Sequence, residues 1–233
     1  MEVARLRRSG LPVSAAINQV TQSTVQPADS FFATLCAHSG SRSHVLSKRA
    51  LGAITSAIED ECLAQARRPV LIGAFQHARF YRQSEARWRE LTRTAERAVV
   101  FADFEQSRGL GTTPQEVALP ADSPVLREWV LVCDAPGFSA CVVGWELPSP
   151  PGTADRNRRF ETVWTLDPDS VRATMNVGIA LLEQSDPERS ELLAASLSRA
   201  TGAASPDLQR ATALFARIVD YSQWAAGRNP VAS

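Results

Sequence analysis

Two short apolar runs, Pro69-Val-Leu-Ile-Gly-Ala-Phe75 and Ala98-Val-Val-Phe-Ala-Asp-Phe104, bracket a segment whose apolar positions recur at helical spacing. Over residues 77–95, Phe80, Ser84, Trp88, Leu91 and Ala95 fall on one stripe, and Glu85 and Arg89 form an i, i+4 pair on the wet side. The pattern predicts strand, helix, strand. Two strands joined by one helix lie parallel through a right-handed crossover, which puts Gln76 and Asp103 near the same carboxyl-terminal edge. Open α/β sheets bind small molecules at that edge.

Residues 127–133, 138–146 and 159–166, rich in Val, Trp and Thr, predict three further strands. The first two are joined at Ala135-Pro136-Gly137-Phe138, where proline fixes one central φ and glycine supplies a positive one. Counting outward pairs Ala135 with Phe138 and Val132 with Cys141. Cys133 and Cys141 then face opposite ways and cannot be bridged. Upstream, residues 47–66 read as a long helix carrying Leu51, Ile54, Ile58 and Cys62 on one face. Residues 31–38 read as a short helix, residues 2–9 and 13–21 as two more around Gly10-Leu11-Pro12, and residues 22–30 as a polar linker. Beyond Leu166 three helix starts share one form, Asp167-Pro168, Asp186-Pro187 and Ser205-Pro206, each an N-cap residue before proline. Residues 105–123 and 148–158 are rich in Gly, Pro, Ser and Thr and read as surface loops. The expected fold is α/β (α+β): a mixed sheet of about five strands flanked by helices, with helical amino- and carboxyl-terminal extensions.

Composition narrows the function classes. The 233 residues carry a formal net charge of zero, so the whole molecule has little attraction for nucleic acid or acidic membrane. Of the 25 basic residues only Lys48 is lysine, a bias of GC-rich bacterial coding. The amino terminus is basic but has no apolar stretch behind it, and no run reaches transmembrane length. A cytoplasmic protein without membrane contact is expected. Four cysteines, Cys36, Cys62, Cys133 and Cys141, lack metal-ligand spacing and are expected as free thiols.

The preferred ligand contacts are Phe75, Gln76, Arg79, Tyr81, Arg82, Asp103 and Phe104, a polar cluster over an aromatic floor suited to a planar or anionic small molecule. Glu59, Asp60 and Glu61 are consecutive on a helix, face different directions, and read as ion-pair partners of arginines rather than a chelating set. Trp129, Trp145 and Trp164 read as core residues. Cys36-Ala-His38 with His44 reads as surface rather than a metal site. No nucleophile elbow and no phosphate-loop lysine is present, so no catalytic residue and no metal is assigned. No cofactor is named by any motif.

The blocks Ala57-Ile-Glu-Asp-Glu-Cys62, Val70-Leu-Ile-Gly-Ala-Phe-Gln76, Arg79-Phe-Tyr-Arg82, Trp88-Arg-Glu-Leu91, Val100-Phe-Ala-Asp-Phe104, Glu128-Trp-Val-Leu-Val-Cys-Asp-Ala-Pro-Gly137 and Gly144-Trp-Glu146 occur in order. Together they resemble the DICT domain, over about residues 46–182. That resemblance implies a bacterial sensory module of the kind found beside diguanylate cyclase, two-component and transcription-factor modules. Such a module is non-catalytic, binds a small-molecule signal or a protein partner, and regulates transcription or second-messenger output. A second resemblance lies in Val3-Ala-Arg-Leu-Arg-Arg-Ser-Gly-Leu-Pro-Val-Ser-Ala-Ala-Ile17, which is similar to the last helices of a MerR-type DNA-binding domain. The reading helix that precedes them in that family has no counterpart here, so no direct DNA binding is expected from this chain alone. The expected division is a helical MerR-like remnant and linker at 1–45, a DICT-like domain at 46–184, and carboxyl-terminal helices at 185–233. Two rivals stand beside it: a MerR-type transcriptional regulator with a truncated amino terminus, and a cryptic small-molecule enzyme. The amphipathic segments 47–66 and 206–224 are candidate homodimer seams.

Overall fold

The computed structural model describes residues 29–109, 114–197 and 206–228. Six helices and seven strands occur among them: α1 (Phe31–Ser39), β1 (His44–Ser47), α2 (Lys48–Gln65), β2 (Val70–Ala74), α3 (Ala78–Thr94), β3 (Arg97–Ala102), β4 (Gln115–Ala118), β5 (Glu128–Ala135), β6 (Phe138–Glu146), β7 (Arg159–Thr165), α4 (Pro168–Ser185), α5 (Pro187–Leu197) and α6 (Pro206–Arg228). All seven strands join in one sheet of order β1-β7-β6-β5-β2-β3-β4. The expected mixed α/β class holds, with seven strands rather than five. The two unforeseen strands, β1 and β4, have four residues each and lie at the two edges. An edge strand pairs on one side only and is too short to show a clear alternation, so the sequence pattern does not reveal it.

The central expectation is met. β2 and β3 are parallel neighbours, with Val70 opposite Arg97 and Ala74 opposite Phe101. The hairpin register also follows the count from the turn: Val132 pairs with Cys141 and Ala135 with Phe138, with Gly137 at φ 82°. Alternation along β2 then sorts the core. Val70, Ile72 and Ala74 face a cluster with α1, α4 and α5, while Leu71 faces another with α2 and α3. Gly73 shares the second face, and a Cβ there would collide with the Trp88 indole. The helix can sit close on the strand because the strand offers no side chain at that point.

Two of the three proline-marked starts are capped as expected. The Asp167 carboxylate accepts from the Ser170 amide at 2.9 Å, and that of Asp186 from the Arg189 amide at 3.2 Å. The third helix begins at Pro206, and its expected cap, Ser205, lies outside the described residues. So do the expected helices at 2–9 and 13–21 and most of the linker. α1, assigned from sequence to the amino-terminal segment 1–45, is packed into the sheet's core through Phe31, Phe32 and Leu35.

Candidate functional site

The carboxyl edge of β2 and β3 gathers the seven residues expected there, and the polar groups of Gln76, Arg82 and Asp103 are engaged by neighbouring side chains and backbone. His77 provides no side-chain cap for α3. Asp103, from the end of β3, does so instead: its carboxylate accepts from the Ala78 amide at 2.5 Å and contacts His77 Nδ1 at 2.8 Å. Partial burial would raise the Asp103 carboxyl, but the hydrogen bonds from His77 and Ala78 outweigh it and hold the group below the usual carboxylate range. Arg82 makes a two-pronged pair with Glu116 of β4, at 2.5 and 2.8 Å. Phe75, Tyr81, Trp88 and Phe104 pack edge to face, with centroids 5.4 to 5.9 Å apart, and burial pushes the Tyr81 phenol up to about 12. Arg79 is exposed, 4.9 Å above the Phe80 ring.

Gln76 corrects the expectation of an open edge. It is 4 % exposed, donates to Glu146 Oε2 and accepts from Arg158 Nη2 at 2.6 Å. Arg158 itself donates through Nε to Glu146 Oε1 at 2.5 Å and pairs with Asp155 at 3.1 Å. The 148–158 loop therefore folds an arginine over the strand end. Periodicity locates that edge but carries no information about which loop covers it. Beneath lies a cavity of about 70 Å³ lined by Lys48, Phe75, Gln76, Phe80, Glu128 and Trp129 among others, space on the scale of roughly two waters.

A larger space opens at the other end of the sheet. Between α6, the end of α1 and the β1/β7 edge lies a cleft of about 610 Å³ lined by Arg42, His44, Trp164, Asp167, Arg217 and Asp220 among others. Small-molecule sites run from roughly 300 to 1,000 Å³. His44 stacks on Trp164 with centroids 4.8 Å apart, and its Nδ1 lies 2.7 Å from Asp220 Oδ1. Phe215 of α6 meets Trp164 edge to face at 5.5 Å. Trp164 is 5 % exposed, and its buried indole N–H has no partner among the described residues.

The charges around this cleft are unequally satisfied. Asp167 is engaged in capping α4 and Asp220 faces His44. Arg42 and Arg217 have no carboxylate partner among the described residues. Two guanidiniums without such a partner among the described residues, beside a flat indole, suit a small anion with a planar part. Sequence reading noted His44 as surface and Trp164 as core. It missed their meeting because three segments far apart in the chain build the wall.

The remaining candidates are structural. Glu59 and Asp60 both pair with Arg87 of α3, in keeping with their reading as ion-pair partners of arginines. Trp145 and Trp164 are buried; Trp129 is half-buried and donates from Nε1 to Thr55 Oγ1 at 3.0 Å. Among the described residues no group of three or more His, Cys, Asp or Glu side chains could hold a metal ion. Nor is any described helix long and apolar enough to cross a membrane.

The architecture is an α/β sheet layered by helices, with Gln76 covered at one end and a cleft at the other. Residues 29–147, just over half of the chain, match the DICT family, described as the "Sensory domain in DIguanylate Cyclases and Two-component system"; the chain belongs to that family. Residues 154–228 are similar to CHASE6_C, described as the "C-terminal domain of two-partite extracellular sensor domain". No curated protein and no solved structure matches the chain. The boundary between the two matches falls inside one sheet, since β7 lies between β1 and β6 and pairs with both. Residues 3–17, which carry the MerR-type resemblance, lie outside both matches and outside the described residues.

Proposed function

We propose that this chain is a non-catalytic, cytoplasmic bacterial signal receptor whose cleft under α6 takes a small anion with a planar part. The signal passes to a transcriptional or second-messenger output. The observation that carries this reading is the cleft itself: ligand-sized, floored by a stacked His44–Trp164 pair, and flanked by two arginines without carboxylate partners among the described residues. Because α6 forms one wall, a ligand there would contact the helix and the sheet at once. Binding that favours the docked helix over an undocked one shifts the balance between the two arrangements, which is what sensing requires physically. The carboxyl-edge residues Phe75, Gln76, Arg79, Tyr81, Arg82, Asp103 and Phe104 remain a second candidate site, reachable when Arg158 swings off Gln76.

The test is native mass spectrometry of the purified full chain for a retained anion, with thermal melts in inorganic phosphate, succinate and adenosine monophosphate. A ligand at a hundred times its Kd stabilises the folded state by about 2.7 kcal/mol. The expected result is a bound mass or a raised midpoint that disappears in the Arg42→Ala/Arg217→Ala double variant. An empty protein that none of the three anions stabilises, or equal stabilisation of the double variant, refutes the cleft as the receptor site.

A further inference from the structure

Two thiols from elements far apart in sequence meet on the α2 side of the sheet. Cys62, in the last turns of α2, and Cys133, near the end of β5, bring their sulfurs to 3.0 Å, and both are free cysteines. They lie in the same apolar cluster as Leu71, Trp88 and Leu131. A disulfide has sulfurs about 2.05 Å apart, so an approach of roughly 1 Å separates the two thiols from bonding distance. The thiols are not equivalent. The hydrogen bond with Cys133 lowers the Cys62 thiol from its ordinary value against the opposing effect of burial, whereas the same bond and burial raise Cys133. Of the nearby ion-pair cluster, the Glu59 carboxylate opposes the Cys62 thiolate and Arg87 favours it, so the inequality of the two thiols rests on their mutual hydrogen bond. This division suits a nucleophile and its resolving partner.

We propose that Cys62 and Cys133 are a redox-active dithiol, which peroxides oxidise to an intramolecular disulfide that ties the end of α2 to β5. The Cys62 thiolate attacks one oxygen of hydrogen peroxide, the O–O bond breaks, and the departing hydroxide takes up the Cys62 proton as water. This leaves a sulfenic acid on Cys62. The Cys133 sulfur then attacks the Cys62 sulfur, the S–O bond breaks, and hydroxide leaves with the Cys133 proton as a second water. Two thiols and one peroxide give one disulfide and two waters; the sulfur pair loses two electrons and the peroxide gains them. A dithiol reductant reverses the change by exchange.

Both sulfurs are buried, so the oxidant reaches them when the end of α2 opens. The connection from α2 to β2 holds Arg68 at φ 51°, in the left-handed region that favours glycine. Backbone strain is thus stored six residues from Cys62. The other two cysteines provide internal controls: burial pushes the Cys36 and Cys141 thiols up to about 12, and Cys141 lies on the opposite face of the sheet.

The test is graded hydrogen peroxide treatment of the full chain, followed by alkylation in denaturant and peptide mass mapping. A Cys62–Cys133 linked peptide lacking two hydrogens should appear, with Cys36 and Cys141 still alkylated, and dithiothreitol should remove the link. Cys62→Ser should abolish the link and leave Cys133 alkylatable. If that variant does not fold, Cys133→Ala should instead accumulate a Cys62 sulfenic acid that dimedone traps. Full alkylation of Cys62 and Cys133 in the wild type, at doses that oxidise free glutathione completely, overturns the proposal. So does modification spread evenly over all four cysteines.

Discussion

Replacing Glu128 with glutamine should stabilise this protein, and do so increasingly as the pH rises. Glu128 opens β5 and is fully buried. Its only hydrogen-bonding partners among the described residues lie at the start of α1: Ser30 Oγ at 2.5 Å and the amides of Phe31 and Phe32 at 3.1 and 3.4 Å. Burial pushes the carboxyl from 4.5 up to about 7, against the lowering effect of those three bonds. A difference of that size corresponds to about 3 kcal/mol. Because the folded value lies above the unfolded one, the stabilisation is fully present below pH 4.5 and lost as the pH climbs through about 7. Glutamine reproduces the neutral acid, accepting from the Phe31 amide and donating to Ser30 Oγ. Urea denaturation of both proteins near pH 5 and near pH 8 isolates the effect. Glu59 and Glu161 are raised in the same direction by burial but are common to both chains and cancel in the difference. The variant should gain about 2 to 3 kcal/mol on the wild type between the two pH values. A pH-independent difference, or one of opposite sign, refutes the argument.

Two further changes probe the framework. Gly73→Ala places a methyl against the Trp88 indole and should cost about 1 to 3 kcal/mol by overpacking, read from the urea midpoint, whereas a neutral result would mean that α3 stands off β2. Asp103→Ala removes the α3 cap and should cost about 1 kcal/mol at neutral pH. Since the Asp103 carboxyl is lowered when folded, its contribution is present above about pH 4 and fades as the pH falls through the folded value. Wild type and variant should converge in acid, and a gap that persists at pH 2 contradicts a charge-based cap.

Elements with a strong period were legible from the residues. The parallel β2–α3–β3 unit, the register of the β5/β6 hairpin and the proline-marked helix starts each follow from rules acting over a few neighbouring residues: alternation, turn stereochemistry and capping. The DICT blocks, set on α2 and on those strands and α3, were legible too. The two edge strands were not, because a four-residue strand paired on one side leaves no period to read.

The seven edge residues show where local information stops. Sequence determined that they would share one end of the sheet, since chain direction and crossover handedness fix strand polarity. Only the tertiary structure decided that Arg158 would close over Gln76, that Arg82 would be taken by Glu116, and that Asp103 would be spent on a helix cap. The cleft under α6 and the Cys62–Cys133 contact belong to the same category. Each joins side chains separated by tens of residues, and such meetings are set by how helices settle on a sheet, a balance of packing that no local pattern encodes.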